Sequence, residues 1–155
     1  MKPNELDMWR ARLKALENGL NQFIAWPKSR CYPIAYPNGT GMGNVSAVQV
    51  GSINVNRKAI TLKGLPVGYS LRIGDYIQIG NYNLHQVSEA RTAGASGTTT
   101  EFEVRPHLWP MTAVNDPVVL VRPSCLMTLV PDSLSTTADL STGRGSLTFQ
   151  AVESR

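Results

Sequence analysis

Two periodicities divide the chain. Between Asn4 and Phe23 the apolar residues Trp9, Leu13, Leu16, Leu20 and Phe23 recur at alternating spacings of four and three, which gathers them on one face of a helix. Arg10, Lys14, Glu17 and Asn21 fall on the other face. Asn4 is placed to cap the N-terminus, Glu5 and Asp7 sit where the helix dipole favours negative charge, and Pro27 bars continuation past Trp26. The pattern predicts one amphipathic helix over residues 4–25, whose stripe packs either on the protein's own core or on a neighbouring subunit. Gly19 lowers its helical propensity by roughly 1 kcal/mol relative to Ala.

From Ser46 the grammar changes to short β-branched or aromatic runs separated by Gly, Pro, Asn and Asp. The predicted strands are 46–50, 59–63, 71–79, 82–90, 100–105, 118–122, 126–130 and 146–152. Within GDYIQIGNYNLHQV, Gly80-Asn81 offers a tight turn between two alternating runs, the strongest hairpin signal in the chain. AGASGTT over 93–99 reads as a flexible loop joining a second antiparallel pair. Many short strands without intervening helices predict a mainly β fold, a small antiparallel β-barrel or sandwich over 46–152, with the N-terminal helix plugging or flanking it. One domain of 155 residues is expected.

Between helix and strands, PKSRCYPIAYPNGTGMGN over 27–44 holds three prolines and three glycines, which argue against a regular helix or a central strand. The segment reads as an extended connector or arm. Its glycines do not form GxGxxG, no GK[ST] follows, and a strand comes next, so it is no phosphate loop. Its apolar content is high for an exposed loop: Tyr32, Ile34, Tyr36 and Met42, with Trp26 at its margin. These four are candidate intersubunit contacts if the segment is an arm that adds to a neighbouring copy, and core residues if it crosses its own barrel.

Composition narrows the classes. Hydrophobic residues make up 42% and charged residues 17% of the chain, too apolar for disorder and below the charge of about 25% usual in soluble domains. Much of the surface is therefore expected to be covered. No apolar run approaches a membrane span, and the first residues mix charge into apolar positions, so membrane insertion and Sec export are not expected. The net charge of +4 includes an excess of three positive charges in residues 1–30, but no block of like charge occurs. Cys31 and Cys125 lack a CxxC partner or a neighbouring His cluster, and are expected as buried thiols.

Candidate chemistry is sparse. His85 lies in a predicted strand and His107 at a Pro-flanked corner, with no GxSxG elbow or Cys-His signature beside either. No DxD, ExxH or HExxH pattern supplies metal ligands, Asp75 reads as a turn residue, and Glu101 and Glu103 share one strand face instead of opposing each other across a cleft. The sequence thus predicts no catalytic residue, no cofactor and no metal. A small barrel can bind nucleic acid, and Arg57, Lys58, Lys63 and Arg72 could line a groove with Tyr69, Tyr76 and Tyr82. Residues 31–130 nevertheless carry only seven basic residues against five acidic ones, few phosphate contacts for strong binding.

The order of features carries more than any single motif. The helix WRARLKALENGLNQF, the connector YPNGTG, then LKGLPVGYSLRIGDYIQIGNYNLHQV, the GASGTTTEFEVRPHL hairpin, VNDPVVLVRPSCLMTLV and a final GSLTFQAVES resemble small tail proteins of long-tailed bacteriophages. The distal tail or tail-hub proteins, which form a ring beneath the tail tube, are the most similar. The resemblance implies a structural virion component, a β-barrel or sandwich that closes into a ring, commonly a hexamer, and joins tail tube to tail tip. It implies the tail of the virion as location, after assembly in the host cytoplasm. Larger distal tail proteins carry a further C-terminal domain, whereas this sequence stops soon after Val152, a departure from the family pattern that leaves two readings open, the hub itself and a neighbouring tail-tip component.

Overall fold

The computed structural model describes residues 1–154, and the chain is mainly β with one N-terminal α-helix. It divides into two compact units, residues 26–125 and a second unit made of residues 1–25 with the segment from Leu126 onward.

The larger unit is a barrel. Its strands are β2 (Gln49–Ile53), β3 (Ala59–Lys63), β5 (Tyr76–Ile79), β6 (Asn83–Val87), β8 (Phe102–Arg105) and β9 (Val118–Val119), joined antiparallel in the order β2-β3-β8-β6-β5-β9. A short pair, β4 (Ser70–Leu71) with β7 (Arg91–Thr92), lies outside that order. The two ends of the six-stranded sheet meet: Val118 donates to the Val48 carbonyl at 2.9 Å, Val50 to Asp116 at 3.0 Å and Asn115 to Val50 at 2.9 Å. This near-closure covers much of the outer edge of the six-stranded sheet, the usual remedy for an exposed ladder. Alternation sends Val50, Ile60, Leu62, Ile77, Ile79, Phe102 and Val104 inward, where all are fully buried. Gly51 occupies a bulge between β2 and β3, where an added Cβ would stand 2.6 Å from Thr61 Oγ1.

The strand predictions hold best where the alternation is clean. β3 has the predicted bounds, and the β5–β6 hairpin pairs Tyr76 with Gln86 and Ile79 with Asn83 around a three-residue turn in which Gly80 and Tyr82 take positive φ. The run expected over 71–79 is interrupted at 72–75, because the Asp75 carboxylate turns back onto the Arg72 N–H at 2.8 Å. The 93–99 stretch is an ordered turn: Gly94 donates to Thr98, Gly97 to Gly94, and Leu65 to Gly97.

The barrel ends near Arg122 instead of running to residue 152. The last strands belong to the second unit, with β1 (Gln22–Ala25), β10 (Cys125–Leu129) and β13 (Ala151–Glu153) forming one sheet in the order β1-β10-β13. The hairpin of β11 (Ser135–Ala138) and β12 (Gly145–Thr148) forms another, so the single strand expected over 146–152 is two strands in different sheets.

The helix, α1, spans Pro3–Lys14 and not 4–25. Pro3 at its first turn makes Lys2 the N-cap position and puts Asn4 inside the helix. The chain leaves the helix because Glu17, Asn18 and Gly19 all take positive φ, with Gly19 at 101°, where a Cβ would lie 2.5 Å from the Leu129 carbonyl oxygen. The predicted packing face dissolves accordingly. Leu13 is buried, together with Leu6 two turns earlier, but Trp9 is exposed beneath the Arg12 guanidinium and Leu16 lies past the helix end. Leu20 is 80% exposed, and Phe23 sits on β1 edge-on to Phe149 at 6.3 Å.

Candidate functional site

Chemistry-bearing side chains in the barrel are engaged in holding it together. Asp75 is buried and accepts from Ile34 N–H at 2.7 Å and Arg72 N–H at 2.8 Å, tying the connector to the start of β5. Gln78 is buried on β5, and its Oε1 accepts from both the N–H and the hydroxyl of Ser124, at 3.0 and 2.9 Å. His85 donates from Nδ1 to the Pro106 carbonyl at 2.7 Å, so it is the hydrogen-bonded strand histidine that its alternation predicts. His107 is exposed, 3.7 Å from Glu103, which also pairs with Arg105 at 2.7 Å. Among the described residues no group of three His, Cys, Asp or Glu is placed to hold a metal ion, and no helix is long and apolar enough to cross a membrane.

Three of the seven residues named for a nucleic-acid groove are engaged within the barrel unit. Tyr69 is a core residue, stacked on Tyr36 with centroids 4.7 Å apart, and its hydroxyl is raised far above the ordinary phenol range by burial first, then by Tyr36 and Asp75. Arg57 turns its guanidinium onto the carbonyls of Trp109 and Thr112, and Lys63 bonds Asn115. Neither aromatic nor cation is presented as an open platform at those positions.

The connector is likewise shared between core and surface. Met42 is buried in the barrel core, Tyr36 packs against that core, and the Tyr36 hydroxyl accepts from Ser70 N–H at 2.8 Å. Those two residues of the four proposed intersubunit contacts therefore serve their own barrel. Pairing with Tyr69 supplies a partner that a Pro- and Gly-rich segment lacks within itself. Tyr32 is half-buried, and Ile34 remains exposed. Tyr32 lines an open cleft of about 520 Å³ with Lys28, Arg30, Ile34, Asn38 and Arg122. Cys31, half-buried, turns its Sγ toward the Lys28 carbonyl, while Cys125 is buried; neither forms a disulfide.

The second unit presents the opposite of a finished core. In the segments 1–25 and 126–154 only Leu6, Leu13 and Leu129 are buried apolar side chains, whereas Met8, Trp9, Leu20, Ile24, Leu140 and Val152 are exposed. Its three-stranded sheet has β1 and β13 as outer strands, and no further strand of the described residues joins them. The exposed Ile24 could have been flagged from sequence only by locating β1, which the helical spacing hid.

No protein family, curated protein or solved structure matches this chain.

Proposed function

We propose that the chain is a structural subunit of a bacteriophage tail, a ring-forming distal tail or tail-hub protein that joins tail tube to tail tip. The observation that carries the reading is the unit built from α1, β1 and the C-terminal strands, which leaves large apolar side chains exposed and in which β1 and β13 are outer strands among the described residues. A unit of that size with three buried apolar residues has little core of its own. Each Leu, Ile or Val side chain moved out of water contributes about 1.5–3 kcal/mol, so covering Leu20, Ile24 and Val152 against neighbours yields several kcal/mol per copy. Open strand edges accept a neighbour's strand, and repeated head-to-tail contacts close into rings. The reading assigns no catalytic role, and Asp75 and Gln78, two of the barrel's buried polar residues, accept from backbone N–H groups. A closed hexamer in contact with tail-tube and tail-tip proteins, in the virion, is the form it takes.

Gel filtration with light scattering, run with and without a single-stranded oligonucleotide, tests this. The reading predicts a discrete oligomer whose size does not depend on nucleic acid. A monomer that changes size only when oligonucleotide is added would replace it with a nucleic-acid-binding barrel.

A further inference from the structure

The cleft beside the connector gathers three cations and no carboxylate. Pro27 starts a single 3-10 turn, closed by Arg30 N–H on the Pro27 carbonyl at 2.9 Å, which presents Lys28 and Arg30 on one exposed turn. Arg122 arrives from the end of β9 in a left-handed conformation with φ 51°, and its N–H donates to the Cys31 carbonyl at 2.8 Å. One backbone bond thus brings a cation into the cleft from a segment distant in sequence. Ile34 in its lining is tied through its N–H to Asp75, and Tyr36 two residues on stacks on Tyr69, so the cleft is part of the barrel unit, not a loose loop.

Those cations are not neutralised within the described residues. None of Lys28, Arg30 and Arg122 takes part in an ion pair. The nearest acid in the brace, Asp75, is buried with both carboxylate oxygens already accepting backbone N–H bonds. Glu89, Glu101 and Glu103 gather with Lys58 around the β3–β8 wall, across the strand order from the β5–β9 wall that leads to Arg122. Uncompensated cations lining a concave surface concentrate anions. Guanidinium groups match the paired oxygens of a phosphate, and a cleft of about 520 Å³ is in the size range of small-molecule sites. Tyr32 adds a half-buried ring to the wall, backed on one side by Gly39.

The geometry points to a phosphate-binding site in this cleft, formed by Lys28, Arg30 and Arg122, for a phosphorylated small molecule whose remainder lies along Tyr32 and Ile34. The site is independent of the ring proposal and stands or falls separately.

Calorimetric titration at about 50 mM salt, with the whole chain, would use pyrophosphate, adenosine monophosphate and adenosine as probes. Pyrophosphate and the monophosphate are expected to bind and adenosine is not. A tighter affinity for the monophosphate than for pyrophosphate is expected, from the contact of its non-phosphate part with Tyr32 and Ile34; equal or weaker affinity would overturn that placement. Arg122→Asn, chosen because Asn tolerates positive φ, and Arg30→Gln should each weaken both phosphates roughly tenfold. Lys58→Gln, on the β3–β8 wall, should leave them unchanged. Absence of pyrophosphate binding at millimolar concentration, equal binding by the two Arg variants and wild type, or adenosine binding as tightly as its monophosphate would each overturn the assignment.

Discussion

Replacing Asp75 separates a barrel-bound connector from a detachable arm. The carboxylate is buried and accepts two backbone N–H bonds, from Ile34 at 2.7 Å and Arg72 at 2.8 Å. Bonds to a charged acceptor contribute about 1.5–3 kcal/mol each, and a truncated acceptor also leaves its donors to be desolvated without a partner. Asp75→Ala removes both, but the backbone bonds of Asp75 and its neighbours, including Val87 N–H to the Asp75 carbonyl at 2.8 Å, survive the change. The expected loss is therefore about 3–5 kcal/mol, below the sum of upper limits because Ile34 lies at the surface and can rebind water. Asp75→Asn keeps the shape and one oxygen but sets an amide NH2 against a backbone N–H, and should cost about 2 kcal/mol. Urea unfolding with unchanged m-value measures both, and amide exchange at Ile34 reports the connector directly. If Asp75→Asn fell within about 0.5 kcal/mol of wild type and Ile34 exchange were unaltered, the connector would not be pinned through this carboxylate.

Other outcomes follow from the same geometry. Leu20→Glu, at a side chain 80% exposed, should change monomer unfolding by less than about 0.5 kcal/mol yet abolish the oligomer in sedimentation velocity; loss of folding instead would return Leu20 to a core. Gly19→Ala combines a φ of 101° with a Cβ at 2.5 Å from the Leu129 carbonyl oxygen, so thermal unfolding should show a cost of about 1–3 kcal/mol, where a continuing helix would instead gain stability. The Asp139 carboxyl is held down to about 2 from its ordinary 3.8 by the Ser141 hydroxyl first, then by Thr142 N–H and hydroxyl and Ser141 N–H. Its contribution to the turn between β11 and β12 is present above pH 3.8 and is lost as pH falls through about 2, and a carboxyl NMR titration with a midpoint near 4 would contradict those bonds.

The barrel was legible where one rule governed a stretch. Alternation in β3 and in the Tyr76–Val87 hairpin depends only on which face meets the core; β3 has its predicted bounds, and the hairpin forms with shorter strands and a turn one residue longer than predicted. The helix failed where two rules competed: spacings of four and three continue to Phe23, but Glu17-Asn18-Gly19 also spells a turn, and the turn won. That same stripe hid β1, whose residues Gln22–Ala25 alternate exposed and half-buried. The connector, expected as an extended segment, contains two 3-10 turns, at Lys28–Arg30 and Pro37–Gly39, and the destinations of Tyr36 and Met42 depend on Tyr69, Ser70 and the barrel interior, partners that local pattern does not reach. The basic cleft escaped notice for the same reason. Lys28 and Arg30 are local, but Arg122 joins them only through the Cys31 carbonyl.

Assembly is the central claim, and electron microscopy of the purified chain addresses it most directly. The account predicts closed rings of uniform diameter with cyclic averages, six-fold by the proposed stoichiometry, that vanish in the Leu20→Glu variant. Particles that remain single copies at every concentration, with the unit of α1 and the C-terminal strands folded and its apolar residues in water, would contradict it.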